Sequence, residues 1–254
     1  MTAPGTPGLW VRRFHASPDA RVRLLVLPHA GGSASYYFTL SRDLAPEVEV
    51  LVAQYPGRQD RLAEGCAGGI EELADGILAE LRADPDGRPL ALFGHSMGTV
   101  VAFEVARRLE RAPVWLFASG YPAPSRLRGG DVHLRDDAGI VAEIASVGGT
   151  DPAWLADESL LSLILPSLRA DYGAAERHPR GFAVLDCPIT ALVGDRDPYT
   201  TEAEAAAWGE HTAAGFDLRV FAGGHFCLEQ HAATFTEIMA GALRSVTPGT
   251  ARSS

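Results

Sequence analysis

Short apolar segments alternate with amphipathic segments of helical length along most of this chain of 254 residues. Several of the apolar segments are almost continuous runs, which is typical of strands buried on both faces of a parallel sheet. The alternation predicts an α/β fold, with a mostly parallel central sheet and helices on both of its faces. The predicted strands are residues 10–14, 22–28, 48–55, 89–94, 113–119, 188–194 and 217–222.

The alternation is interrupted once, between about residues 123 and 186, by a stretch without a convincing strand. Long excursions from a compact sheet are often functional. We therefore interpret 123–186 as an inserted helical lid, the alternative being additional packing helices without a role. The helices predicted within it are 136–146, 152–163 and 165–177, and those predicted elsewhere are 70–83, 97–110 and 228–245.

The length and composition fit one α/β domain that carries this insertion. Single α/β domains often reach about 250 residues, and 46% apolar with 21% charged residues is ordinary for a globular protein. We predict a core of residues 1–122 and 187–246, a lid of 123–186 and a flexible tail of 247–254. Six apolar lid residues are expected to form the walls of a cavity: Leu160, Leu161, Leu163, Ile164, Leu165 and Leu168.

The composition also argues against several classes of function. The 22 basic residues, all arginine, face 32 acidic ones, and no basic run exceeds a pair, whereas nucleic-acid binding needs a basic patch. No apolar run approaches the roughly 18 residues of a membrane span, and residues 1–9 do not resemble a signal peptide. Cys66, Cys187 and Cys227 match neither a disulfide framework nor metal-ligand spacing. We expect a cytoplasmic monomer without metal or cofactor that binds neither nucleic acid nor membrane.

The motif Gly94-His95-Ser96-Met97-Gly98 lies between a predicted strand and a predicted helix. This is the G-x-S-x-G nucleophile elbow in the structural context that it requires. Glycines on both sides let backbones approach closely, and the helix N-terminus favours a developing negative charge near the serine. The five-residue pattern alone is weak, but its context makes Ser96 the predicted nucleophile.

A serine hydroxyl at neutral pH needs a base, which elbow enzymes supply from a histidine near the C-terminus. His225 follows the last predicted strand in Gly223-Gly224-His225-Phe226 and is the predicted base. A loop at that position can bring the imidazole over the elbow. We interpret His211 and His231, both placed on predicted helices, as surface residues.

Two aspartates after strand 188–194 qualify as the acid that orients this histidine. We favour Asp197, the fourth residue of the Gly-Asp-Arg-Asp turn, and expect Asp195 to bond backbone N–H groups of the turn. The acid must accept the imidazole N–H and so fix its tautomer. The resulting order Ser96, Asp197, His225 is the chain order of α/β-hydrolases.

The oxyanion hole of such an enzyme uses the N–H of the residue after the nucleophile, here Met97. A second donor is expected from the glycine-rich turn 28–32, where the N–H of Ala30 follows strand 22–28. The alternative is a simple glycine turn.

Six segments distributed over nearly the whole chain carry a resemblance to a known family. They are LPHAGGSASYY (27–37), QYPGRQDRL (54–62), FGHSMGTVVAFEVARRL (93–109), LPSLRADY (165–172), GDRDP (194–198) and GGHFCL (223–228). The GHSMG pattern is shared widely among hydrolases, whereas PGRQDR and LPSLRADY are more specific. Together the segments resemble the type II thioesterases of polyketide and nonribosomal peptide synthesis.

The resemblance implies a stand-alone α/β-hydrolase with a helical lid. Such enzymes hydrolyse aberrant or stalled acyl groups from the phosphopantetheine arm of carrier proteins, so an acyl or peptidyl carrier protein is the implied partner. The resemblance also implies a triad of Ser96, Asp197 and His225, with Ala30 and Met97 at the oxyanion hole and no cofactor. LPSLRADY falls within the predicted lid.

The residues alone leave other functions open. A small-molecule esterase or lipase, an acyltransferase and an inactive binding protein all fit the same elbow. The PGRQDR segment also has two interpretations. Arg58 and Arg61 either fix a loop through hydrogen bonds to carbonyl groups, which we favour, or contact the carrier protein.

Overall fold

The strands form one sheet with a mostly parallel arrangement in the computed structural model, which describes residues 8–126, 129–150 and 152–246. In chain order they are β1 (Val11–Arg12), β2 (Val22–Leu27), β3 (Val48–Ala53), β4 (Leu90–His95), β5 (Trp115–Ser119), β6 (Ile189–Gly194) and β7 (Phe216–Phe221). Their spatial order is β1-β3-β2-β4-β5-β6-β7. Only the β1–β3 pairing is antiparallel among these neighbours. The predicted α/β fold is confirmed.

The helices cover both faces of this sheet. They are α1 (Phe38–Leu44), α2 (Ile70–Ala83), α3 (Met97–Ala106), α4 (Asp137–Val147), α5 (Pro152–Leu155), α6 (Glu158–Arg177), α7 (Glu202–Ala206), α8 (Cys227–Gln230) and α9 (Ala232–Arg244). Successive side chains of a strand point to opposite faces. Leu25 therefore packs in the core formed with α2 and α3, whereas Leu24 and Val26 pack in the core formed with α1 and α9.

The inserted stretch between β5 and β6 contains α4, α5 and α6 and has a small core of its own. The boundary between two of its predicted helices is wrong, because the break expected at residue 164 lies at 156–157 and α6 runs unbroken through Pro166. A proline lacks the N–H that would bond the preceding turn, but apolar packing on both sides of it, at Ile164 and Leu168, keeps the helix continuous. The helix begins after Asp157, whose side chain accepts hydrogen bonds from the N–H groups of Ser159 and Leu160.

Other boundaries differ from the prediction at the ends of elements. The strand predicted at 10–14 is reduced to two paired residues, and the helix predicted at 97–110 ends at Ala106. The helix predicted at 228–245 is divided into α8 and α9. Helix α1 was not predicted, and the polar helix expected to carry His211 is α7 followed by a 3₁₀ helix, Ala207–His211. The predicted tail 247–254 lies outside the described residues. Within the described part of the chain, no helix is both long and apolar enough to cross a bilayer.

A glycine in the middle of α2 shows how tightly this helix packs on the N-terminal segment. A Cβ on Gly76 would lie 2.1 Å from Cε2 of the Trp10 indole. The backbone N–H of Trp10 donates to the carboxylate of Glu80, which also lies on α2. The indole also lies under the Arg61 guanidinium, at 4.4 Å from its ring centroid. The contact fixes the entry to β1.

We predict that Gly76→Ala lowers the free energy of unfolding, although alanine is the better helix former by about 1 kcal/mol. Displacing the indole should cost about 1–3 kcal/mol, as overpacking usually does. Gly241→Ala in α9 is the matched control, because its nearest neighbouring atom would be 4.0 Å away, and it should hold or raise stability. Urea unfolding of both variants measures the difference. Equal gains in stability for Gly76→Ala and Gly241→Ala would show that the Trp10 side chain moves aside at no cost in free energy.

Candidate active site

Ser96 lies on a strained turn between β4 and α3. Its backbone has φ 54° and ψ −129°, a conformation that non-glycine residues rarely adopt. Two hydrogen bonds hold it, from the Ser96 N–H to the Ser119 carbonyl of β5 and from the Thr99 N–H to the Ser96 carbonyl, both at 2.8 Å. Strain of this kind persists where the surroundings enforce it, and it is concentrated at functional sites.

The two glycines of the elbow are required by close backbone contacts. A Cβ on Gly98 would lie 2.0 Å from the carbonyl oxygen of Leu27 at the end of β2. A Cβ on Gly94 would lie 2.3 Å from the carbonyl oxygen of Gly98. Because these neighbours are backbone atoms in the sheet and helix, they cannot move aside. Helix α3 therefore passes directly over β2 and brings Ser96 beside the turn 28–32.

His225 and Asp197 form a buried pair at the ends of β7 and β6. The Nδ1 atom of His225 lies 3.0 and 3.1 Å from the two carboxylate oxygens of Asp197. The side chains are 2% and 0% exposed. An ionised carboxylate only accepts hydrogen bonds, so a neutral imidazole in this contact carries its proton on Nδ1, which leaves Nε2 with a lone pair. His225 and Ser96 border the same cavity.

The neighbouring Asp195 has a different position. Its carboxylate accepts a hydrogen bond of 2.8 Å from the Gly223 N–H, which lowers the pKa of Asp195, and its side chain is half exposed. Asp197 is held by its own N–H to the Gly194 carbonyl and by the Tyr199 N–H to its carboxylate. The structure brings Asp197 to His225 and leaves Asp195 on the turn.

Two further histidines are packed around His225. The ring centroids of His95 and His225 are 5.0 Å apart, and those of His29 and His95 are 5.8 Å apart. Burial, followed by the charge of His225 and of Arg58, lowers the pKa of His29 to about 3. Burial likewise holds the pKa of His95 well below its ordinary value. Both rings are therefore neutral at pH 7.

His211 is not the surface residue that the sequence analysis predicts. It is fully buried, and its ring nitrogens bond the Ala183 carbonyl at 2.9 Å and the Ser125 hydroxyl at 3.0 Å. Its ring packs against Phe103 and Trp208. Its neighbours in the chain do not reveal these distant partners. His231 is partly exposed and bonds the Ala222 carbonyl.

The turn 28–32 brings Ala30 to Ser96, and Met97 follows the serine directly. Ala30 borders both cavities at Ser96, and Met97 borders one of them. The next residue, Gly31, has φ +72° and donates its N–H to Asp171 of α6 at 2.8 Å.

Two cavities, of about 240 and 330 Å³, meet at Ser96. The larger has apolar walls from the inserted helices, namely Ile144, Val147, Trp154, Ile164 and Leu168. Of the six apolar lid residues predicted to line a cavity, Ile164 and Leu168 do so. The other four do not border either cavity. Leu161, Leu163 and Leu165 lie off the stripe of α6 that carries Ile164 and Leu168, and Leu160, one turn before Ile164, is exposed. The contribution of α4 and α5 was not predicted.

The smaller cavity has a polar end that sequence reasoning also missed. The Tyr199 hydroxyl donates to the Glu143 carboxylate of α4 and lies 3.3 Å from the Tyr172 hydroxyl of α6. The Tyr199 ring packs edge-on against His225 at 4.8 Å. Tyr199 thus connects the loop of Asp197 to α4 and α6, and its position two residues after Asp197 was the available signal in the sequence.

Arg58 and Arg61 of the PGRQDR segment are both buried. Arg58 donates to the carbonyls of Pro56 and Gly32, and Arg61 donates to those of Leu9 and Gln54. The predicted loop-fixing role of these arginines is confirmed. In the described ranges, no group of three or more histidine, cysteine or acidic side chains could hold a metal ion.

Comparison with known proteins identifies close relatives. The family model of the thioesterase domain matches residues 22–243. Thioesterase PikA5 of Streptomyces venezuelae is 51% identical over 226 residues, which cover 87% of this chain and 80% of that protein. The solved structure of the type II thioesterase BorB from the borrelidin biosynthetic cluster is 45% identical, with TM-score 0.87, covering 95% of this chain and 100% of that one.

A second solved structure extends the likeness to another pathway. YbtT, a type II thioesterase from the yersiniabactin NRPS/PKS biosynthetic pathway, is 30% identical with TM-score 0.83, covering 92% of this chain and 98% of that one. The family match and these coverages extend over the sheet, the elbow and the inserted helices alike. The chain therefore belongs to the thioesterase family, in its group of type II thioesterases of polyketide and nonribosomal peptide biosynthesis.

Proposed function

We propose that this chain removes acyl groups from the phosphopantetheine arm of an acyl or peptidyl carrier protein, and so edits stalled biosynthetic intermediates. Ser96 is the proposed nucleophile, His225 the base and Asp197 the acid that orients it. The observation that carries this proposal is the buried Asp197–His225 pair, whose histidine borders the same cavity as the elbow serine. The proposed enzyme is a cytoplasmic monomer that uses no metal or cofactor, since the triad supplies nucleophile and base.

Acylation begins when the Ser96 oxygen attacks the thioester carbonyl carbon and His225 Nε2 takes the hydroxyl proton. The carbonyl oxygen becomes an oxyanion, which accepts hydrogen bonds from the N–H groups of Ala30 and Met97. The carbon–sulfur bond then breaks, and His225 returns the proton to the departing phosphopantetheine sulfur. The products of this half-reaction are the acyl-serine and a free carrier thiol.

Deacylation repeats these steps with water as the nucleophile. His225 takes a proton from water, which attacks the acyl-serine carbonyl, and the same two N–H groups hold the second oxyanion. The ester bond to Ser96 breaks, the serine oxygen recovers its proton from His225 and the carboxylic acid is released. The cycle consumes one water and restores the enzyme.

The surroundings favour transfer of the Ser96 proton to His225 without competing positive charge on His29 or His95. Since the pKa values of His29 and His95 are lowered by burial, neither ring adds a positive charge beside the imidazolium at neutral pH. Asp197 supplies the compensating negative charge at 3.0 Å and fixes the tautomer. The N-terminus of α3 adds a partial positive charge at the oxyanion.

We further propose that the inserted helices act as a lid and that the apolar cavity of about 330 Å³ receives the acyl chain. Ile144 and Trp154 line it from α4 and α5, and Ile164 and Leu168 line it from α6. The insertion leaves the sheet after β5, beside the elbow. In open parallel sheets, ligands bind at this carboxyl-end edge.

The first prediction of this proposal concerns the nucleophile. Ser96→Ala should abolish hydrolysis of an acyl-carrier-protein thioester, because loss of the nucleophile typically costs about 10⁶-fold in rate. The fold should persist, which circular dichroism would verify. Assays on a panel of acyl groups carried by one carrier protein, beside nitrophenyl esters of the same acids, would test the substrate class. Residual turnover above about a thousandth of wild type would exclude Ser96, and a preference for the nitrophenyl esters would exclude the carrier-bound substrate.

The two aspartates provide a matched pair for the second prediction. Asp197→Asn should reduce kcat by about 10⁴-fold, because an amide favours the wrong tautomer of His225 and cannot stabilise the imidazolium. Asp195→Asn should change kcat little, since that side chain contacts the Gly223 N–H and Arg196 on the turn. Steady-state rates of both variants decide the assignment. Equal losses, or the reverse order, would contradict it.

The third prediction concerns the motion of the lid. Amide exchange in α4, α5 and the first half of α6 should be faster than in β4 and β5, and should slow when an acyl-phosphonate occupies Ser96. The side chains of Leu160 and Leu163 are 36% and 48% exposed, so this half of α6 has few buried contacts. Hydrogen–deuterium exchange with and without the inhibitor measures both effects. Exchange as slow as in the central strands, and unaltered by inhibitor, would indicate a fixed cap.

A further inference from the structure

A buried ion pair joins the PGRQDR loop to the inserted helix α6. Arg58 Nη1 lies 2.6 Å from Asp171 Oδ2, and Nη2 lies 2.9 Å from Oδ1, so the contact is bidentate. The two side chains are 6% and 5% exposed. They are 113 positions apart in the chain. Replacing such a pair by apolar residues of similar volume often leaves stability unchanged or raised, so stability alone does not explain it.

Each residue of the pair also makes a hydrogen bond to the turn 28–32. Asp171 Oδ2 accepts a hydrogen bond of 2.8 Å from the Gly31 N–H, and Arg58 Nη1 donates to the Gly32 carbonyl at 3.2 Å. Two successive residues of the turn are therefore held by one ion pair. Arg58 is fixed in turn by the Pro56 carbonyl at 3.3 Å.

The turn needs such an anchor because of its composition and conformation. Gly31 has φ +72°, and glycine has wide conformational freedom. Only the two backbone dihedrals of Ala30 separate the anchored Gly31 nitrogen from the Ala30 nitrogen, which is the proposed oxyanion donor. Rotation at these dihedrals would move the Ala30 N–H away from the oxyanion, and small misplacements of this kind slow catalysis strongly.

The charge of the pair matters as well as its geometry. A lone carboxylate beside Gly31 would repel the negative charge that develops on the thioester oxygen. The Arg58 guanidinium neutralises Asp171, so the carboxylate can hold the turn without that repulsion. A neutral acceptor would avoid the repulsion but would bond the N–H less strongly.

We propose that Arg58 and Asp171 are positioning residues for hydrolysis, which set the direction of the Ala30 N–H through Gly31 and Gly32. The inference rests on the proposed function, since it requires Ala30 to be an oxyanion donor. Asp171 belongs to α6, so the inserted helix supports the chemistry as well as lining the cavity.

The test compares kcat, KM and the affinity for an oxyanion mimic. Arg58→Lys and Asp171→Asn are assayed with an acyl-N-acetylcysteamine thioester, and a trifluoromethyl ketone analogue reports oxyanion binding. We expect kcat and analogue affinity to fall together by about 10–100-fold, with KM within about twofold. Loss of a whole oxyanion donor costs about 10²–10³, which sets the upper limit.

Two further variants separate positioning from folding. Single variants that fail to fold are replaced by Arg58→Met/Asp171→Leu, which leaves no unpaired buried charge, and the same loss of kcat is expected. The control is Arg61→Lys, because Arg61 is equally buried in the same loop but bonds Gln54, Leu9 and Glu64. It should lower the melting temperature and leave kcat within about twofold.

The outcomes for this inference and for the proposed function are distinguishable. Folded Arg58 and Asp171 variants with the kcat and analogue affinity of wild type would overturn the positioning role, even if Ser96→Ala is inactive. An equal loss in Arg61→Lys would also overturn it, by showing that any loosening of the loop suffices. Turnover by Ser96→Ala would overturn the proposed function itself.

Discussion

The contact between the Gly98 backbone and the end of β2 determines the geometry of the whole site. The Leu27 carbonyl occupies the space that a Cβ on residue 98 would fill. Because Gly98 has no Cβ, α3 can cross the sheet close enough to put Ser96 beside the turn 28–32. Parallel pairing then brings the ends of β2, β4, β6 and β7 to one edge. Ala30, Ser96, Asp197 and His225 each follow one of these strands, so the proposed machinery is a consequence of sheet topology.

The parts of this arrangement that depend on local pattern could be predicted from the sequence. Buried strands are recognisable in the sequence as apolar runs. The strand–elbow–helix pattern predicts the turn that carries Ser96 without knowledge of the tertiary structure. The predicted order Ser96, Asp197, His225 came from the chain order of α/β-hydrolases. The choice of Asp197 over Asp195 depended on turn geometry, and the structure shows the difference as a contact to His225 that only one of them makes.

The parts that depend on long-range packing could not be predicted. Pro166 signals a helix end locally, but the apolar contacts of Ile164 and Leu168 outweigh it. His211 has a polar sequence neighbourhood, yet its partners Ala183 and Ser125 lie 28 and 86 positions away. Arg58 was expected to bond carbonyls and does, whereas its partner Asp171 could be found only in three dimensions.

Helix α6 both lines the larger cavity and holds the turn that carries Ala30. Ile164, Leu168 and Tyr172 recur every fourth residue and border the larger cavity. Asp171 lies next to this stripe and bonds the turn that carries Ala30. Under the proposed function, a shift of the helix caused by a poorly fitting acyl chain would reach the turn of Ala30 through the Asp171 side chain. The proposed function therefore couples selectivity for the acyl chain to the rate of the chemical step.

The two buried carboxylates of the site, Asp171 and Asp197, differ in when a positive charge lies beside them. Asp171 has its cationic partner, Arg58, at all times. In the proposed mechanism, Asp197 gains a full ion pair when His225 takes the proton from Ser96. Such a pair is stronger in the transition state than in the ground state, and only differential interactions of this kind accelerate the chemical step. In the proposed scheme the permanent pair thus fixes the geometry of the turn, while the transient pair stabilises the reacting complex.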